Sequence, residues 1–156
     1  MKLDIRKAEI NALNQVVREA KKVASDELNT VYNIQKRDIN RAIKVETAKA
    51  GNLRANLEVT GKKLPLIDFS ARQNKQGVSI EVKRGGRKTL THAFLPTMPT
   101  RYRGVFMRIG TKRFPIREKF TQSIPQFFGT MNIIKKIDDF VRRRLPELFN
   151  QERNKL

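Results

Sequence analysis

Ten basic residues in the central part of the chain have the types and spacing for one kind of chemistry, the binding of anions. They are Lys83, Arg84, Arg87, Lys88, Arg101, Arg103, Arg108, Lys112, Arg113 and Arg117. Ammonium and guanidinium groups neutralise phosphates without reading a base sequence. Residues 71–120 hold 13 lysines and arginines against two carboxylates, so they carry +11 of the net charge of +19. Such a field attracts polyanions, of which nucleic acid is the commonest.

Other interpretations of the positive charge stay open. A basic surface also keeps protein molecules apart by repulsion, and it suits contact with an acidic protein partner. The segment KRGGRK, residues 83–88, lacks the spacing of a phosphate-binding loop that opens a helix. It is therefore either a hairpin tip that reaches a phosphate backbone or a solvated turn. Arg101 and Arg103 flank Tyr102, an arrangement suited to stacking on a base and neutralising a strand.

The chain is poor in the groups that enzymes and metal sites need. His92 is the only histidine and there is no cysteine, which excludes a histidine pair, a thiolate ligand and a cysteine nucleophile. Asp138 and Asp139 are adjacent in a predicted helix, so their carboxylates point to different faces. We therefore expect no catalytic residue, no metal, no cofactor and no small-molecule substrate.

The length and hydropathy of the chain bound its class. At 156 residues it has the length of a single domain. No apolar run approaches the roughly 18 residues of a membrane span, and the N-terminus lacks the apolar segment of a secretory signal. We therefore expect one domain over residues 1–156, made in the cytoplasm and without membrane contact.

The order of predicted elements indicates an α+β fold: an N-terminal helix region (1–34), a mainly β region (35–120) and a C-terminal helix region (121–156). In residues 4–29 apolar side chains recur at helical spacing, and a short second helix is expected near 35–41. The first stripe is narrow and rich in alanine: Ile5, Leu13, Val16, Val17, Ala20 and Val23. A stripe of this kind packs on one neighbour, in the same domain or in another subunit.

From Ala42 the apolar period changes to two, which predicts an antiparallel sheet of about five or six strands. The alternating segments are two hairpins, residues 43–59 and 77–94, and two single strands, residues 66–72 (LIDFSAR) and 104–109. The second hairpin is expected to turn at Gly85-Gly86. Residues 95–103 form the one extended loop.

Within VFMRIGTKRFPI, residues 105–116, the alternation predicts apolar and basic side chains on opposite faces. The expected core residues are Val105, Met107, Ile109, Phe114 and Ile116. The basic residues Arg108, Lys112, Arg113 and Arg117 then lie on the other face or at the turn. They would face DNA or the acidic groups of a neighbouring subunit.

The clearest helix signal stands at the end of the chain and predicts a cover for the apolar face of the sheet. Ser123 can cap this helix, whose first turn tolerates Pro125. Its stripe, at steps of three and four, is Phe127, Met131, Ile134, Ile137, Val141, Leu145 and Leu148. Pro146 is expected to kink or break it.

Three segments in this order closely resemble the minor tail protein Z family of long-tailed phages and their prophages. They are NLRANLEVTGKKLPLIDFSAR, GVSIEVKRGGRKTLTHAF and GVFMRIGTKRFPIREKFTQSIPQFF. The likeness covers about residues 30–130, and its most specific pieces are LPLIDFSAR, HAF at 92–94, and VFMRIG followed by RFPIRE. Thr121 and Gln122 stand where the family pattern usually has Gly-Pro, and the N-terminus is short for the family.

The resemblance implies a structural protein of the virion tail with no catalytic residues. Members of the family are associated with completing the tail at its head-proximal end, where DNA enters the tail channel. Similar tail-completion and head–tail joining proteins pair a small sheet with flanking helices and often form rings. The implied partners are other tail proteins, further copies of the chain and DNA, in the tail and, during assembly, in the host bacterial cytoplasm. The alternative is a stand-alone, sequence-unspecific nucleic-acid-binding protein.

Overall fold

The computed structural model describes residues 2–130 and 132–155 and has the expected α+β class. Its described helices are α1 (Lys2–Val31), α2 (Lys36–Ala42), α3 (Ile124–Thr130) and α4 (Ile133–Arg153). Its described strands are β1 (Ile43–Glu46), β2 (Asn56–Val59), β3 (Lys63–Pro65), β4 (Arg72–Gln73), β5 (Gly77–Lys83), β6 (Gly86–Thr91), β7 (Ala93–Phe94), β8 (Phe106–Arg108), β9 (Ile116–Glu118) and β10 (Phe120–Ser123). The broad order predicted from the sequence, an N-terminal helix, then strands, then a C-terminal helical region, is confirmed.

The described strands form four small antiparallel sheets, whereas the sequence pattern predicted one larger sheet. Their orders are β1-β2, β3-β10, β4-β5-β6 and β7-β8-β9. The expected return strand of the second hairpin is divided because His92 has a φ of 64° between β6 and β7. A non-glycine residue in this left-handed region does not continue a strand. The chain therefore leaves one sheet at Thr91 and enters another at Ala93.

The segment LIDFSAR is not the strand that its sequence suggested. Leu66–Asp68 form a 3₁₀ turn, and Ser70 has a left-handed φ of 50°. Leu66 and Phe69 are both buried, which is the three-residue spacing of a 3₁₀ turn and not the alternation of a strand. Arg72, the last residue of the segment, belongs to the short strand β4.

The second hairpin is confirmed, with its turn one residue earlier than expected. Lys83 pairs with Gly86, so the two turn residues are Arg84 and Gly85. Gly85 has a φ of 74°, which glycine adopts without a steric cost. Val78 and Ile80 are buried on the expected face of β5.

Helices α1 and α4 run antiparallel along each other. Three side-chain bonds join them at intervals of eight residues: Asn11 to Glu152 (2.9 Å), Arg144 to Glu19 (2.8 Å) and Lys136 to Glu27 (2.7 Å). The hydrogen bond from Arg144 lowers the pKa of Glu19. A small apolar cluster between the helices consists of Ala12, Val16 and Leu148 with Phe140, Val141, Leu145 and Phe149 around them. The C-terminal helix thus covers α1 along most of its length and reaches the sheets only near its start.

The buried stripe of α1 is more alanine-rich than the sequence analysis proposed. Val16, Val17 and Ala20 are buried as predicted, but Ile5 is 39% exposed. The remaining buried apolar positions of α1 are Ala8, Ala12, Ala24 and Leu28. Small residues at steps of four let the two helix backbones approach closely, which a stripe chosen by hydrophobicity alone does not reveal.

The predicted C-terminal helix is divided into α3 and α4, and Met131 of its stripe lies outside the described residues. Ser123 precedes α3, and its backbone N–H donates to Gln126 Oε1 at 2.9 Å, one half of a capping box. Ile134 is 64% exposed, contrary to the prediction, and Ile133 is buried instead. Pro146 lies inside α4 and does not end it. Leu148, fully buried two residues later, helps to offset the missing backbone hydrogen bond.

The stretch 105–116 departs from simple alternation. Val105 is buried and Ile116 partly so, as predicted, but Phe106 is also buried. Ile109 and Phe114, both predicted in the core, are 56% and 64% exposed. Strand β8 ends at Arg108, so Ile109 and Phe114 belong to the connection to β9, and no other element in the described part of the chain covers them.

The main core joins the sheets to α1, α2, α3 and the start of α4. Its largest fully buried side chains are Phe69, Leu28, Ile39, Ile43, Ile133, Val78 and Val105. Ser25 also lies in the interior, and within the described structure its hydroxyl has no hydrogen-bond partner.

We expect Ser25→Ala to raise the free energy of unfolding by about 1 kcal/mol, because it removes a buried, unpaired hydroxyl and adds a better helix former. Ser79→Ala is the matched control, since the buried Ser79 Oγ accepts a hydrogen bond from Arg87 at 3.1 Å. That variant should lose about 1 kcal/mol. Chemical denaturation of both variants tests the pair, and a loss in Ser25→Ala would contradict the expectation.

Candidate functional site

The structure divides the ten candidate cations between two sheets. Lys83, Arg84, Arg87 and Lys88 belong to the β5–β6 hairpin, and we call them the hairpin-tip group. Arg101, Arg103, Arg108, Lys112, Arg113 and Arg117 belong to β8, β9 and the loops beside them, and we call them the arm group. The two groups have different surroundings, so they are described separately.

Two arginines of the hairpin-tip group bind the protein itself. Arg84 Nε donates to the carbonyl of Asn29 at 2.6 Å. Arg87 donates to the carbonyl of Ser70 at 3.0 Å and forms an ion pair with Glu81 at 3.5 Å. These bonds tie the hairpin to the end of α1 and to the turn after Leu66. Both side chains therefore have a structural role that the sequence pattern did not indicate.

Lys83 and Lys88 remain available to a ligand. Neither ammonium group has an ion pair or hydrogen bond with a residue in the described part of the chain, and both residues are exposed. They line one open cleft of about 400 Å³. The cleft is also lined by Tyr32, Ile80, Val82, Gly86, Thr121, Gln122 and Phe127. Two ammonium groups beside hydroxyl and amide groups can donate hydrogen bonds to phosphate oxygens.

The cleft depends on residues that sequence reasoning missed. Tyr32 follows the end of α1, and its ring contacts the ring of Phe127 in α3 with centroids 4.4 Å apart. Thr121 and Gln122, noted earlier as a departure from the family pattern, form part of β10 and line the cleft. No local pattern brings positions 32, 88 and 121 together. They are joined by contacts between distant residues: the bridge between Tyr32 and Lys83, the pairing of β5 with β6 and the ring contact of Tyr32 with Phe127.

The loop before β8 is held by a tyrosine–carboxylate contact. Tyr102 donates its hydroxyl hydrogen to the Glu118 carboxylate, with both oxygens 2.8 Å away. This hydrogen bond raises the pKa of Tyr102. Arg101 and Arg103, on either side, are exposed next to β9. Tyr102 is thus used to anchor the loop, and the proposed base stacking would have to compete with that contact.

Two guanidinium groups, one at the end of β8 and one in the connection to β9, lie over aromatic rings. The Arg108 guanidinium lies 5.2 Å from the ring centre of Phe94, and that of Arg113 lies 5.7 Å from the ring centre of Phe114. Lys112 and Arg117 are exposed. Ile109 and Phe114 are the large apolar side chains exposed beside them. The arm group therefore combines positive charge with apolar surface.

The fold leaves the cations of residues 71–120 almost without counterions. Their two carboxylates are Glu81 and Glu118. Glu81 is bound by Arg87 and by the backbone N–H of Gly85 at 3.0 Å, and Glu118 is bound by Tyr102. Asp68, from outside this segment, lies near Glu118, and its pKa is raised first by burial. The excess charge of this region therefore faces outward.

The described residues contain no metal site of the usual composition. Within 2–130 and 132–155, no three His, Cys, Asp or Glu side chains lie close enough together to hold a metal ion. His92 lies at the exposed kink between β6 and β7, where its backbone N–H donates to Gln76. Over the same residues, none of the helices combines the length and hydropathy needed to span a membrane.

Comparison with known proteins identifies the family. The family model described as prophage minor tail protein Z matches residues 1–152, a longer span than the 30–130 of the resemblance noted in the sequence. No curated protein and no solved structure matches the chain. The matched span includes both sheets that carry the candidate cations as well as the α1–α4 pair. The chain therefore belongs to the prophage minor tail protein Z family, a family of structural phage tail proteins.

Proposed function

We propose that this protein completes the phage tail at its head-proximal end and there contacts DNA through its basic surface. The observation that supports the DNA contact is that few carboxylates balance the basic residues of this region. The cations of residues 71–120 outnumber their carboxylates by 13 to two, and both carboxylates are bound within the fold. Binding of such a surface to a polyanion is favourable, because the protein cations replace counterions condensed on the polyanion and release them into solution.

The cleft of Lys83 and Lys88 is the proposed position for the phosphates. Its two ammonium groups have no competing partner in the described structure, and the cleft is open to solvent. Lysine contacts of this type are independent of base sequence, which suits a protein through whose channel DNA of any sequence passes. Arg84 and Arg87 hold the hairpin in place and add charge nearby.

The proposed assembly is a ring of identical subunits around the DNA passage, in contact with other tail proteins. In this arrangement the basic surfaces of the subunits line the channel, and the protein joins the tail in the host bacterial cytoplasm. Each subunit of the proposed ring is a single domain over residues 1–156. Since α1 packs on α4 of its own chain through bonds such as that between Glu19 and Arg144, this assembly needs no exchange of α1 between subunits.

A second candidate is a stand-alone, sequence-unspecific nucleic-acid-binding protein. It is favoured by the same observation, since the exposed charge belongs to the chain itself and needs no tail partner. Neighbouring genes for tail tube, tape measure and terminator proteins would support the tail role, and their absence would favour the second candidate.

We expect Lys83→Glu combined with Lys88→Glu to weaken binding of a short DNA duplex and to reduce its salt dependence. Each lost phosphate contact lowers the slope of log K against log salt by about one, so the pair should lower it by about two. Lys7→Glu with Lys22→Glu is the matched control, because both residues are exposed on α1 and the change in net charge is identical.

Titration of the duplex across a salt series measures all three proteins. If the cleft variant and the control lose affinity equally, the cleft makes no specific contact and the proposed phosphate site is wrong. Light scattering in the same series tests the ring: a salt-stable oligomer supports it, and a monomer that binds DNA favours the stand-alone candidate.

A further inference from the structure

The connection between β8 and β9, residues 109–115, is exposed and carries both apolar and basic side chains. We call it the arm tip. Ile109 is 56% and Phe114 64% exposed, and Phe114 shares this exposure with Ile134 alone among the large apolar side chains in the described residues. Arg108, Lys112 and Arg113 stand beside them. Two exposed large apolar side chains on one short connection are typical of a surface that binds a partner.

The composition of the arm tip argues against duplex DNA as the molecule that covers it. A phosphate backbone needs cations and gains little from an isoleucine, and duplex bases stack on an inserted side chain only at the cost of unstacking. The Lys83–Lys88 cleft offers the contrast, because its apolar lining residues Ile80 and Phe127 are 7% and 3% exposed and Val82 is half-buried. The two basic surfaces therefore suit different partners.

A second copy of the chain is also a poor partner for the arm tip. Two arm tips in contact would place Lys112 and Arg113 of one copy against the same residues of the other, with Arg108 beside them, so like charges would meet. A protein partner with acidic groups around an apolar pocket has the complementary charge. Arginine and aromatic side chains are the types most enriched at the centres of such interfaces.

The tip is also partly ordered before any contact is made. The Arg113 guanidinium lies over the ring of Phe114, and the Arg108 guanidinium lies over the ring of Phe94. Side chains that are already stacked lose less conformational freedom on binding than free ones do. Affinity can therefore be high for a small contact area.

We propose that the arm tip inserts Phe114 and Ile109 into an apolar pocket with an acidic rim on a different protein of the tail. Arg108, Lys112 and Arg113 then pair with carboxylates of the rim. This inference rests on the proposed role in tail assembly, and it separates two surfaces: the Lys83–Lys88 cleft binds phosphates and the arm tip binds a protein.

The test is the incorporation of variants into tails that are assembled from the co-expressed tail genes and purified by sedimentation. Phe114→Ser with Ile109→Ser should reduce the amount of this protein per tail at least tenfold, because both inserted side chains are lost. Phe120→Ser is the matched control, since Phe120 is 47% exposed on a different sheet. Arg108→Glu with Arg113→Glu should give the same loss through the acidic rim.

Two further measurements make each outcome decisive. The melting temperatures of both arm-tip variants should stay close to that of Phe120→Ser. The affinity of Phe114→Ser with Ile109→Ser for a DNA duplex should match that of Phe120→Ser, and the affinity of Arg108→Glu with Arg113→Glu should match that of Lys7→Glu with Lys22→Glu, which has the same net charge. Normal incorporation of the two arm-tip variants would overturn this inference alone. A selective loss of DNA affinity would identify the arm tip as a DNA contact, and dissociation of a purified oligomer would identify it as a contact between copies; either result also overturns it. Absence of the wild-type protein from tails would overturn the proposed function itself.

Discussion

Gly77→Ala is expected to destabilise the folded protein strongly. A Cβ atom on Gly77 would lie 1.9 Å from the carbonyl oxygen and 2.9 Å from the carbonyl carbon of Leu90. Both are backbone atoms of β6, which pairs with β5 through Gly77 and Thr91. The clash can be relieved only by separating the two strands. We expect the free energy of unfolding to fall by about 3 kcal/mol or more, and the melting temperature by roughly 6–12 °C.

Two other glycines provide the control for this prediction. A Cβ atom on Gly51 or Gly110 would have no atom within 4 Å, and neither residue has a left-handed φ. Gly51→Ala and Gly110→Ala should therefore change the melting temperature by no more than a few degrees. If all three variants melt at about the same temperature, the close approach of β5 and β6 at Gly77 is wrong.

Helices were the part of the fold that the sequence predicted best. Apolar spacing located α1 and α2 to within a few residues, because a helix places residues three and four apart on one face whatever it packs against. It did not predict that α4 would continue through Pro146. That outcome depends on the packing of Leu148 against α1, a contact between distant parts of the chain.

The sheets were predicted less well because single backbone conformations decide where a strand ends. The alternation around LTHAF continues through His92, yet its left-handed conformation moves the chain to a different sheet. In the same way, Ile109 and Phe114 satisfy the alternation but lie beyond the paired residues. Alternation predicts which side chains share a face, and it cannot predict whether another layer covers that face.

The candidate site was predicted as a set of residue types and not as a geometry. All ten cations lie on or beside the two sheets, as the pattern implied. The different roles within the set follow from contacts with distant residues, such as Arg84 with Asn29 and Arg108 with Phe94. A charge count cannot distinguish an arginine that holds the fold from a lysine that is free to bind.

Phe69→Ala is the second substitution for which we expect a large effect. Phe69 is 1% exposed in the centre of the main core, and its carbonyl accepts the backbone N–H of Glu81 at 2.9 Å. Alanine at this position would leave a cavity where the 3₁₀ turn packs against the sheets, which typically costs about 3–5 kcal/mol. Since whole domains are stable by about 5–15 kcal/mol, the variant should unfold at a much lower denaturant concentration.

Phe114→Ala makes the same chemical change at a side chain that is 64% exposed. We expect it to alter the free energy of unfolding by less than about 0.5 kcal/mol, because little apolar surface leaves a buried environment. Urea denaturation of the two variants therefore separates a phenylalanine that holds the fold from one available to a partner. A loss of similar size in both would mean that the arm tip is buried in the folded protein, and would contradict the exposure on which its proposed role depends.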